Sequence, residues 1–130
     1  MTTSEILASL HDGQLYGIRN AEGRSLTLCC RRVDGAEVVI TITGVDDLCA
    51  TNFRTGNIIL FAEAFPDAGR LDDAMLRSLA QSDRKELVAA YMDRLKRAEK
   101  KSKFFVVQSS YGCDLVAVFS GEVDVELPTK

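Results

Sequence analysis

The stretch Ser25-Leu26-Thr27-Leu28-Cys29-Cys30-Arg31-Arg32-Val33-Asp34-Gly35-Ala36-Glu37-Val38-Val39-Ile40-Thr41-Ile42-Thr43 decides the fold. Up to Val33, Leu26, Leu28 and Cys30 share one parity, with Ser25, Thr27, Cys29 and Arg31 on the other. After Glu37, Val38, Ile40 and Ile42 alternate with Thr41 and Thr43. A period of two with one apolar face predicts half-buried antiparallel strands. Asp34-Gly35 between them predicts a tight hairpin turn, because glycine tolerates the positive φ such turns require.

Working outward, Gln14 to Arg19 reads as a preceding strand, joined through Asn20-Ala21-Glu22-Gly23, which makes a three-strand meander. Before it, Thr2-x-x-Glu5 forms a capping-box pattern, and Ile6, Leu7 and Leu10 follow at helical spacing. That short helix is expected to end near His11-Asp12-Gly13. Gly44 to Arg54 shows no clear period and is expected to be irregular or one helical turn. Ile58 to Phe65 is apolar on both parities, as in a central strand, and Pro66-Asp67-Ala68-Gly69 stops it. Arg70 to Ala80 spaces Leu71, Met75 and Leu79 four apart. A second helix is expected from Ser82 or Asp83, with Asp83-x-x-Glu86 as its capping box and Leu87, Val88, Tyr91, Met92, Leu95 and Ala98 on one side. Lys103 to Ser109, Cys113 to Phe119 and Glu122 to Leu127 are three closing strands, turned at Tyr111-Gly112 and Ser120-Gly121.

This order predicts an α+β fold: an antiparallel sheet of about six or seven strands, packed against one long or two short helices inserted between strands four and five. A partly closed barrel capped by the helix is the alternative. The length of 130 residues is room for one domain spanning 1–130. With 46% hydrophobic and 27% charged residues and only two prolines, the composition is that of a globular chain.

The chemistry is defined mainly by what is missing. The net charge of −3 excludes a wholly basic nucleic-acid binder. The first residues lack the basic and apolar regions of a secretory signal, and the longest apolar runs, Ile58 to Ala62 and Leu115 to Phe119, fall far short of the roughly 20 residues of a membrane span. Cys29, Cys30, Cys49 and Cys113 sit in apolar or strand-like contexts and are expected to be reduced and mostly buried, which points to the cytoplasm. With one histidine and no Cys-x-x-Cys, no metal site is expected. The nine scattered glycines form no phosphate loop, so no cofactor is expected.

His11-Asp12 is the one acid–base pair adjacent in sequence, and its simpler account is a helix terminus. Asp46-Asp47 lacks the oxygen spacing of a calcium loop, while Asp72-Asp73 suits a helix first turn. Glu122, Asp124 and Glu126 alternate with Val123, Val125 and Leu127. They are either a solvated face that discourages edge association or an acidic stripe that docks a basic partner.

Charge is segregated. Residues 84–103 hold eight Lys and Arg against three acids, a net +5, leaving −8 elsewhere. Arg94, Lys96, Arg97, Lys100 and Lys101 are the candidate contacts in this stretch. Cations also gather at helix C-termini to offset the dipole, and Tyr91 is the one aromatic among them, so nucleic acid is disfavoured as the partner.

Leu10-His11-Asp12-Gly13-Gln14-Leu15-Tyr16-Gly17-Ile18, and the block from Gly44-Val45-Asp46-Asp47-Leu48 through Phe53-Arg54-Thr55-Gly56-Asn57-Ile58-Ile59-Leu60, resemble small bacterial β-rich domains. Some of those are immunity proteins that bind and block a cognate toxin. The resemblance spans the first half of the chain and implies no site residue. The expectation is a non-enzymatic cytoplasmic domain acting through a protein–protein surface, with homodimerisation as one form of it. A small enzyme using His11 or a cysteine, and a polyanion binder using residues 84–103, are the alternatives.

Overall fold

The computed structural model of the chain describes residues 1–97 and 101–127. It contains α1 (Thr3–Ala8), β1 (Gln14–Ala21), β2 (Ser25–Arg31), β3 (Glu37–Ile42), β4 (Val45–Thr51), β5 (Asn57–Phe65), α2 (Asp73–Ala80), α3 (Lys85–Arg97), β6 (Lys103–Tyr111), β7 (Asp114–Phe119) and β8 (Val123–Glu126). All strand pairs are antiparallel, in the order β4-β7-β6-β5-β1-β2-β3-β8.

The sheet has eight strands, not six or seven, and the two longer helices lie between the fifth and sixth strands, not the fourth and fifth. Both corrections come from β4, in the segment expected to be irregular. Its register slips between Val45 and Asp47, so the alternation breaks inside the strand. The two acids that obscure it are both engaged, Asp46 by the Arg24 guanidinium and Asp47 by the Tyr91 hydroxyl at 2.7 Å.

The strand order brings its own ends together. Two residues, Thr43 and Gly44, carry the chain from β3 near one end to β4 at the other. Thr43 N–H donates to Glu122 O and Ser120 N–H to Gly44 O, both at 3.0 Å, so pairing continues across the corner and the sheet turns back on itself. Glycine is required on both sides. A Cβ on Gly44 would lie 2.8 Å from Gly121 N, and one on Gly121 only 2.4 Å from Thr43 O.

Two apolar clusters follow from this shape. Leu26, Leu28, Ile40, Ile42, Phe105, Leu115 and Phe119 fill the interior, while Phe104, Val106, Val116 and Val118 on the opposite face pack under Leu71 and Leu79. β6 and β7 are thus covered on both faces and read as unbroken apolar runs. β2 and β3 are buried on the interior face alone, and so alternate.

The local signals behave as expected at several points. Thr2 and Glu5 form the reciprocal capping box of α1. Gly35, at φ 88, turns the β2–β3 hairpin. The helix expected over Arg70 to Ala80 starts instead at Asp73, after a single 3-10 turn, with Asp72 accepting from Met75 N–H at 2.8 Å. The Asp83-x-x-Glu86 box does not form. Ser82 Oγ accepts from Arg84 N–H at 3.0 Å, while Asp83 lies 3.6 Å from Arg77 and Glu86 2.8 Å from Arg84. Ala98, expected on the buried side of α3, lies outside the described residues.

Candidate functional site

The candidate charged residues fall on separate elements. Arg94, Lys96 and Arg97 are exposed on α3, Lys101 is exposed in the link to β6, and Lys100 lies outside the described residues. α3 contributes no fully buried side chain. It leans on the sheet through half-buried Tyr91 and Leu95, with the Arg94 guanidinium 4.9 Å from the Tyr91 ring centroid. Burial first, then Asp47, raises the Tyr91 hydroxyl well above its ordinary pKa.

Glu122, Asp124 and Glu126 are exposed along β8, with Val123, Val125 and Leu127 packed on the interior cluster. No ion pair among the described residues joins these carboxylates to a cation, and none joins them to α3.

The candidate chemistry is committed to structure. His11 Nδ1 lies 2.8 Å from Leu60 O, which requires an N–H there, and Nε2 lies 3.6 Å from Asp12. The imidazole thus closes the open side of β5 where β1 no longer pairs. The four cysteines are free, two buried and two half-buried. Burial pushes Cys30 up to about 12, and also raises Cys113 and Cys49, next to Asp114 and Asp47 respectively. Thiols shifted this way are poor nucleophiles at neutral pH. Among the described residues, no three His, Cys, Asp or Glu side chains are placed to hold a metal. A cavity of about 150 Å³ lies between α2 and β7, but its carboxylates are engaged: Asp72 caps α2, and Asp114 accepts from Ser109 N–H and Oγ.

The structure assembles a surface that the sequence reading did not. Pairing registers Glu37 beside Arg31, Arg31 beside Gln14, Gln14 beside Ile58 and Ile58 beside Tyr111, a continuous row across β3, β2, β1, β5 and β6. Directly paired residues share a face, so these five side chains are neighbours. Tyr16 joins the row with the Arg31 guanidinium 4.9 Å from its ring, and Arg54 lies 5.9 Å from the Tyr111 ring. Tyr16, Phe53 and Tyr111 are 40%, 48% and 55% exposed, so much of the chain's exposed aromatic surface gathers at this row and the adjoining loop.

One buried residue holds the far end of this row in place. Asn57, 1% exposed, donates from Nδ2 to Leu15 O at 2.9 Å and Arg54 O at 2.7 Å. Its Oδ1 accepts from Arg54 N–H at 2.8 Å and Cys113 N–H at 2.9 Å. A single amide therefore ties β1 to the loop bearing Phe53 and Arg54 and to the turn after Tyr111. Gly112, at φ 91, lies so close that a Cβ would sit 2.4 Å from Asn57 Oδ1.

The available sequence signal is the placement of large aromatics at Tyr16 and Tyr111, at exposed positions of β1 and β6, and at Phe53 in the loop between β4 and β5. Comparison with protein-family models, curated proteins and solved structures finds no match to this chain.

Proposed function

We propose that the chain is a protein-binding domain acting in the cytoplasm, in the manner of an adaptor or immunity protein, with the Tyr16–Arg31–Tyr111 row as its principal contact. The observation that carries this reading is the row itself. Exposed aromatics beside arginines are the composition of interface hot spots, where a few rings and guanidiniums supply most of the affinity. Stacking and the Asn57 tie hold these groups before a partner arrives, which lowers the ordering cost of binding. Four free thiols, two buried and two half-buried, suit a reducing compartment.

The test is affinity capture from cells of the source organism, comparing the native chain with Tyr16→Ala and Tyr111→Ala. A stoichiometric protein partner lost from both variants is the expected result, because truncating one hot-spot side chain costs about 2 kcal/mol or roughly thirtyfold. A partner retained by both variants, or none captured by the native chain, would overturn the assignment. Sedimentation of the purified chain settles whether that partner is a second copy.

A second reading rests on Arg94, Lys96, Arg97 and Lys101, which are exposed and make no ion pair with a carboxylate among the described residues. It expects capture of nucleic acid that is removed by nuclease and weakens steeply as salt rises.

A further inference from the structure

The most unusual feature outside the aromatic row is a pair of strand edges that open onto one groove. β5 pairs with β1 only at Asn57 and Ile58. Ile59 then exchanges bonds with Gly13 O and Asp12 N–H, both at 2.8 Å, and Leu60 O is taken by His11. From Phe61 to Phe65 no strand lies on that side of β5 among the described residues. On β8, the Thr43 N–H to Glu122 O bond makes 43–122 a hydrogen-bonded pair. The antiparallel alternation then turns the backbone groups of Val123 and Val125 away from β3, toward the open side.

α1 bridges these two edges and leaves a groove of about 370 Å³, lined by Ser4, Leu7 and Ala8, by Leu60 and Ala64, and by Val123. The floor is apolar or small. The charged residue that lines the groove is an acid, Glu63 on β5, and two more acids, Glu122 and Asp124, flank Val123. No cation lines the groove among the described residues; outside the lining, Arg70 pairs with Glu63 at 3.9 Å from the side of Phe65.

We propose that this groove receives an extended segment of a partner protein in which apolar and cationic residues alternate, added as a strand along the open edge of β5. An extended segment can use the unpaired backbone groups, whereas a helix has already satisfied its own. Its alternate side chains divide between the apolar floor and the acidic rims. A second copy of the chain is a poor occupant through β8, because pairing two such edges sets carboxylate against carboxylate. This surface is distinct from the aromatic row, so it stands or falls without it.

The experiment is fluorescence anisotropy of the full chain with a short labelled peptide of alternating valine and lysine. The comparison peptides have the same composition in block order, or glutamate in place of lysine. The alternating lysine peptide is expected to bind, more weakly as salt rises, and the other two not to. Ala64→Trp, which fills the groove from an exposed position, should abolish binding. The double variant Glu63→Lys with Asp124→Lys should weaken it about tenfold, two exposed ion pairs being lost and their signs reversed. Tyr111→Ala should leave it unchanged. Thermal melts confirm that each variant is folded. The proposal is overturned if the block or glutamate peptide binds equally, if no peptide binds, or if Ala64→Trp leaves binding intact. It is also overturned if Ala64→Trp instead dissolves a dimer of the native chain.

Discussion

Replacing Asn57 by alanine offers the sharpest test of how the candidate surface is held. The side chain makes four hydrogen bonds to backbone groups of three segments far apart in sequence, at Leu15, Arg54 and Cys113. Two of these, to Leu15 O and from Cys113 N–H, are buried, and truncation strands those groups beyond the reach of solvent. Each stranded group costs about 1–3 kcal/mol. The two bonds to Arg54 are only part-buried, so water can replace them at about 0.5–1 kcal/mol each. The expected loss is therefore about 3–8 kcal/mol, a large share of the roughly 5–15 kcal/mol that holds a domain folded. Urea unfolding followed by circular dichroism measures it, with the slope checked for unchanged two-state behaviour. Gly112→Ala attacks the same knot from the other side, since its methyl would meet Asn57 Oδ1 at 2.4 Å. The double variant should cost less than the two singles together, because removing the amide relieves that clash. A loss below about 1 kcal/mol for Asn57→Ala, or strict additivity with Gly112→Ala, would show that water substitutes for the amide and that Asn57 is not the tie.

Three further outcomes are expected. Gly35→Val should lower stability by about 1–2 kcal/mol, because an added Cβ meets nothing there and the cost is wholly the positive φ. Gly56→Val, equally open but without positive φ, should be near neutral in the same melts. Tyr91→Phe should cost about 1 kcal/mol at neutral pH and speed hydrogen exchange in α3 without touching the sheet, since the Asp47 bond is the helix's hydrogen-bonded tie to β4. The Tyr91 pKa is raised in the folded state above its ordinary 10.0, so its stabilisation is complete below pH 10 and declines above it; unfolding curves should converge for native and Tyr91→Phe chains only at strongly alkaline pH. Finally, Cys30, Cys49 and Cys113 should resist iodoacetamide at neutral pH in the folded chain and react once it is unfolded. Rapid alkylation of any of the three would revive a thiol-dependent activity.

The parts of the fold that were legible in the sequence are those in which one face of an element meets solvent. β2 and β3 are marked by Leu26, Leu28, Val38 and Ile40, because these are buried while Thr27 and Thr41 on the other side stay partly exposed. Asp34-Gly35 and Thr2-x-x-Glu5 were legible for a different reason, their bonds closing within a few residues. β4 was not legible. Its bulge shifts the parity between Val45 and Asp47, and its two aspartates are satisfied by Arg24 and Tyr91, partners 22 and 44 residues away. A carboxylate that looks solvated in sequence can be the acceptor that fastens a strand to a helix, and only the tertiary contact distinguishes the two.

The same distinction explains why charge proved an incomplete guide to the candidate surfaces. The basic stretch and the Glu122–Glu126 stripe are contiguous in sequence and therefore conspicuous, yet they occupy separate elements. The aromatic row draws on five strands, and beyond the Arg31–Glu37 pair of one hairpin its neighbours are far apart in sequence: Gln14 meets Arg31 and Ile58, and Ile58 meets Tyr111, solely through register. Register depends here on a slip after Leu15 in β1 and on two slips between Ile58 and Phe61 in the β5–β6 pair, and a slip of one residue exchanges the faces of the side chains beyond it. Without the slip at Tyr16, Ile18 would leave the interior cluster and face solvent, so the bulge serves the core and the surface at once. Only one of these demands is visible to a reading of periodicity. A surface built this way changes with its scaffold, and mutations of the bulges should alter binding and stability together, while Arg94 or Glu126, outside the core, can be exchanged with little effect on the fold.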